Sequence, residues 1–132
     1  PIIIDDHFYG VGSYGELRGL DARTGERLWR SDAMTVPGRF GTAYIVRNGD
    51  RYFVTNDSGE LLIVRFTPDG YEEIDRTPLI APTLHTRGGV SGRWIDRVVL
   101  WAHPAFANGH VIARNDREVI RASLRAADYE EY

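Results

Sequence analysis

A repeat constrains this chain more than any other feature. Tyr14-Gly15-Glu16-Leu17 recurs as Ser58-Gly59-Glu60-Leu61, a spacing of 44 residues. Upstream, Phe8-Tyr9 falls on Tyr52-Phe53 in the same register. A third copy, "NDREVIRASL", places Glu118 opposite Glu60 at a spacing of 58, which is 14 residues longer. The surplus falls within Ala81 to Arg97, whose Pro, Gly, Ser and Thr content predicts an extended loop. A period of about 40–45 residues with four short strands per unit is the pattern of β-propeller blades.

The strand signals agree with the period. "PIIID", "HFYGVGS", "ELRGLD" and "RLWRSD" form a first set, and "TAYIVRN", "RYFVTND", "ELLIVRF" and "YEEIDR" a second. "RVVLWAHPAF", "HVIARND" and "EVIRASL" give a third. Asn48-Gly49-Asp50, Asp57-Ser58-Gly59, Pro68-Asp69-Gly70 and Asn108-Gly109 supply hairpin turns. The expected fold is therefore all-β and propeller-type. Its units cover residues 1–36, 37–80 and 98–126, with a long loop at 81–97 and a tail at 127–132. The count is four strands, four strands, then three. About four to eight blades are needed to close a ring. The chain is thus expected to be a piece of a larger ring or to self-associate, two copies giving six blades. Pro1–Asp5, as the innermost strand of the first unit, is badly placed to supply the missing outer strand.

Bulk properties narrow the function classes. Hydrophobic residues make up 42% of the 132, enough for a packed core. The formal net charge of -3 argues against a nucleic-acid partner, which calls for a basic surface. Arginine supplies every cation, and there is no lysine. The absence of cysteine excludes a disulfide framework, a thiolate metal site and a cysteine nucleophile. No apolar run approaches the roughly 18 residues of a membrane helix, and no signal peptide is visible.

"GLDARTGERLW", Gly19 to Trp29, carries the most specific local pattern. Asp21 can accept backbone N–H bonds in the turn, Gly25 can take positive φ, and Trp29 can reach a neighbouring sheet. The stretch resembles the tryptophan-docking motif of the quinoprotein-type, or PQQ-like, propeller repeat, including the propellers of outer-membrane protein assembly. Asp21, Gly25 and Trp29 match that motif, while Gly19 stands for its Ala and Glu26 for its Lys. The second unit has Asp69-Gly70 at the turn and no Trp. The resemblance implies a blade-docking role for the three matching residues, protein partners or further blades, and a periplasmic or secreted location. Its enzymatic alternative is a fragment of a dehydrogenase using pyrroloquinoline quinone and calcium, against which stands the lack of a cysteine pair and of a recognisable calcium set.

Other chemistry is thinly signalled. His7, His85, His103 and His110 show no metal-binding spacing. Asp5-Asp6, Glu72-Glu73 and Glu130-Glu131 are sequence neighbours, and neighbours in a strand point to opposite faces. They do not make a catalytic pair. No catalytic, cofactor or metal residue is assigned. The arginines Arg87, Arg93, Arg97 and Arg114 read as solvated loop-end cations, the alternative being a polar axial surface. The expected function is a non-catalytic protein-binding or assembly scaffold. Its candidate contact residues are His85, Arg87, Arg93 and Trp94 in the long loop, because loops on a rigid scaffold carry contacts. Trp94 is either an aromatic anchor there or packed on the unit below.

Overall fold

The computed structural model describes residues 1–90 and 93–129, with side chains over 1–86 and 97–128. Glu130 and Glu131 lie outside the described residues. The first sheet is an antiparallel meander of β1 (Ile2–Ile4), β2 (His7–Val11), β3 (Leu17–Asp21) and β4 (Arg27–Ser31). The second repeats it with β5 (Ala43–Asn48), β6 (Arg51–Asn56), β7 (Glu60–Thr67) and β8 (Gly70–Pro78). The third holds three strands, β11 (Ala105–Ala107), β12 (His110–Arg114) and β13 (Val119–Ser123). A short 3-10 helix, Ala126–Tyr129, follows.

The stretch expected as a loop is largely strand. β9 (Leu84–Val90) and β10 (Arg93–Val99) pair as an antiparallel hairpin between the second and third sheets. Glycine and serine near its tip disguise the pattern, and its alternation is weak. "RVVLWAHPAF" does not form one strand. Val98 and Val99 end β10, and the chain leaves strand geometry from Leu100 to Pro104. There the Leu100 N–H donates to the Asp57 carbonyl at 2.7 Å, and the Tyr44 hydroxyl donates to the Trp101 carbonyl at 2.6 Å. Backbone groups committed to these partners cannot serve a sheet ladder.

Pleating divides each sheet into two faces. The cross-strand row Ile2–Tyr9–Gly19–Trp29 lies on the face of the first sheet turned to the second. Leu17, Met34, Tyr52, Val54, Leu62 and Val64 form the buried core between these two sheets. Each fully buried aliphatic there stabilises the fold by about 1.5–3 kcal/mol. A smaller cluster of Ile80, Leu100 and Ala113 joins the second sheet to the third, assisted by Phe53 stacked on Phe106 at 5.1 Å.

The repeated Gly-Glu has a backbone cause. Gly15 and Gly59 both have φ of 79°. A Cβ on Gly59 would sit 1.9 Å from the Ile80 carbonyl oxygen, and one on Gly15 would sit 2.8 Å from that of Val36. In both units the turn before the third strand presses on the linker to the next sheet.

Candidate functional site

Three features could engage a partner or a ligand: the Trp29 contact, the base of the hairpin, and the open face of the first sheet. At the first, Asp21 Oδ1 accepts the N–H groups of Arg23 and Thr24, each at 2.9 Å. Gly25 has φ of 74° and donates to the Asp21 carbonyl at 2.9 Å. The turn delivers Trp29 to the second sheet. Its indole N–H donates to the Thr67 carbonyl at 3.1 Å. Its ring stacks between Tyr9 and Tyr71, with centroids at 5.8 and 6.4 Å. Gly19 lies beneath the indole and makes room for it.

At the hairpin base, an ion pair escapes any local reading of the sequence. Arg97 of β10 donates to Asp57 Oδ2 at 2.8 Å and to the Arg39 carbonyl at 2.8 Å. The Asp57 side chain is fully buried, whereas Arg97 keeps 15% exposure. The Thr42 N–H adds a further bond to Oδ2 at 3.2 Å. Arg97 is therefore not a solvated loop-end cation; it fastens the hairpin to the second sheet. Asp57 occupies the position that Ser13 takes in the first repeat, and an acid substituted for a small polar residue there is the one hint the sequence offers.

His85 is exposed on β9 and pairs in register with Val98. Arg87 pairs in register with Asp96, Arg93 with Val90, and Trp94 with Gly89. The side chains of Arg87, Arg93 and Trp94 lie outside the described residues. Backbone register thus places the four candidates on one hairpin, with Trp94 and Arg93 towards its tip.

A second set of ion pairs follows the repeat. Glu16 accepts from Arg18 at 2.6 Å and from Arg30 at 2.8 Å. Glu60 accepts from Arg76 at 3.0 Å and from Asn56 at 2.7 Å. The hydrogen bonds from Arg18 and Arg30 hold the Glu16 carboxyl below the usual glutamate range. Arg76 does the same for Glu73, and the N–H groups of Thr24 and Arg23 lower Asp21. Acids depressed in the folded state add stability above their unfolded values and lose it as pH falls through the folded values. The urea midpoint should therefore hold from pH 7 to about 4.5 and fall below it. Glu16→Gln should flatten part of that fall, as denaturation at pH 7, 4.5 and 3 will read.

The third feature lies on the first sheet's other face. Ile3 pairs with Phe8, and Phe8 with Leu20, as a row across three strands. Ile3 is 66% exposed and Leu28, beside the row at the β4 bulge, is 42% exposed. Among the described residues, no element covers this face.

No family model matches the chain, and no curated protein matches its sequence. Among solved structures it is similar to BamB from Moraxella catarrhalis, with a TM-score of 0.53 and 17% identity. The likeness covers 90% of this chain and 29% of that one. The fold is that of a β-propeller. Its sheets are blades laid face to face, and this chain spans under a third of the BamB chain it matches. At this identity the likeness bears on fold alone.

The quinone and calcium of the enzymatic alternative would need an acidic, oxygen-rich ligand set. Among the described residues, no three His, Asp or Glu side chains converge to hold a metal ion. Trp101 packs edge-on against Phe40, with ring centroids at 6.3 Å. Among the described residues, no helix is long and apolar enough to cross a membrane.

Proposed function

We propose that this chain is a non-catalytic propeller module that binds protein by continuing its stack of sheets. The observation that carries this is the row of half-buried Phe8 and Leu20 flanked by exposed Ile3 and Leu28. An exposed apolar patch is an interface surface, here edged by the Arg18 and Arg30 ion pairs to Glu16. The occupant is a further β-sheet, and a second copy of this chain can provide one.

Mass photometry tests the reading. The chain should form dimers or larger species above about 1 µM. Ile3→Lys with Leu28→Glu should return it to a monomer with an unchanged melting temperature, because neither side chain supports the core. A wild-type chain that stays monomeric at tens of micromolar overturns the proposal.

A further inference from the structure

The first two sheets have four strands and the third has three. Among the described residues, no strand occupies the place beside β13, and β1 is already paired in the first sheet. Three observations describe what that place would accept.

The first is a missing partner. Glu16, Glu60 and Glu118 are equivalent by the repeat and immediately precede β3, open β7 and immediately precede β13. Glu16 is paired to Arg30 on β4, and Glu60 to Arg76 on β8, both from the fourth strand. Register makes Arg30 and Arg76 equivalent, since Leu17 faces Ser31 and Leu61 faces Thr77. Glu118 is exposed and makes no ion pair among the described residues.

The second is a slot. Between the first two sheets, Trp29 is sandwiched with Tyr71 of the fourth strand β8. By the same register Asp75 stands where Trp29 would be in the second sheet, and no fourth strand supplies a counterpart of Tyr71 in the third. A cavity of about 400 Å³ remains there, lined by Leu61, Ile63, Asp75 and Leu124 among others.

The third is charge. Arg121 on β13, Arg114 opposite Val119, and Arg117 and Arg125 beyond the two ends of β13 are all exposed. None makes an ion pair among the described residues, whereas Arg18, Arg30, Arg65, Arg76 and Arg97 all do. Two β13 edges pairing antiparallel about their centres would bring Arg121 against its copy, and like charges across a strand pair are destabilising. That argues against a second copy through this edge.

We propose that the β13 edge binds an extended, acidic, arginine-bearing peptide as a fourth antiparallel strand. This strand places an apolar or aromatic side chain in the slot, acids outward over the arginines, and a cation on Glu118. The site is separate from the open face of the first sheet. Main-chain hydrogen bonds along the edge would supply affinity, and the alternating side chains would supply selectivity.

The chain's own β8 meets these demands, so the probe is a synthetic peptide of sequence GYEEIDRTP added to the intact chain. Hydrogen exchange should slow at the β13 amides, and fluorescence anisotropy should give a Kd below about 1 mM. Replacing the peptide's arginine by glutamate should weaken binding about tenfold, and Glu118→Arg in the chain should restore it. A lysine-for-acid peptide should not bind. No protection of β13, protection confined to other edges, or failure of the charge swap to restore binding overturns the proposal. The Ile3→Lys, Leu28→Glu monomer should bind the peptide as the wild type does, which separates this edge from the sheet face.

Discussion

Arg97→Met is expected to cost about 3–5 kcal/mol of unfolding free energy, because it strands a buried carboxylate. The Asp57 side chain has no exposure, and its Oδ1 has no protein partner among the described residues. Without Arg97, the remaining bond to Oδ2 is the Thr42 N–H at 3.2 Å. The reverse change is gentler. Asp57→Ala leaves a guanidinium that is already 15% exposed, still bonded to the Arg39 carbonyl, and able to turn to water. That change should cost about 2 kcal/mol, much of it from unpaired backbone and lost packing. Asp57→Leu with Arg97→Met should lie well below the sum of the single costs, since an apolar pair replaces a buried ion pair at little net loss. Urea unfolding of the four proteins measures the cycle. Single losses under about 1 kcal/mol would show that water already reaches the pair. Hydrogen exchange adds a local reading: β9 and β10 amides should open faster in Arg97→Met, with β6 and β7 changed only through global unfolding.

This pair also marks where sequence reasoning ends. The 44-residue period was legible because Gly15 and Gly59 meet the same backbone demand and Glu16 and Glu60 the same fourth-strand arginine. The turn of Asp21, Thr24 and Gly25 was legible because its hydrogen bonds span only a few residues. Asp57 and Arg97 are 40 residues apart, and their meeting depends on a hairpin whose strands carry no clean alternation. Gly88 and Gly89 in β9 read as loop residues until Trp94 and Ile95 pair with them. Arg97 to Phe106 read as one largely apolar strand. Tertiary demands on the Leu100 N–H and the Trp101 carbonyl divide it, and Pro104 cannot donate to a ladder in any case. Sheet identity followed from local pattern, whereas the attachments between sheets did not.

The first inter-sheet contact offers a sharper test, because one of its residues departs from the propeller motif it resembles. Gly19 stands where that motif has alanine, and here the methyl has no space. A Cβ on Gly19 would lie 2.4 Å from Trp29 Cε2 and Nε1. Gly19→Ala should therefore push the indole off Tyr9 and Tyr71 and break its bond to the Thr67 carbonyl, costing about 2 kcal/mol. Trp29→Ala should cost about 3 kcal/mol through lost aromatic packing and the cavity left between the sheets. The decisive protein is the double variant. With the indole gone, a methyl at position 19 meets nothing of Trp29, and alanine is a better strand residue than glycine by about 0.5–1 kcal/mol. Gly19→Ala should then be neutral or stabilising in the Trp29→Ala background. Thermal and urea unfolding of the four proteins give the coupling directly, and quenching of indole fluorescence by acrylamide should rise in Gly19→Ala as the ring leaves its stack. Additive costs would mean that Gly19 serves its own strand, at the β3–β4 register shift beside it, rather than the seat of Trp29.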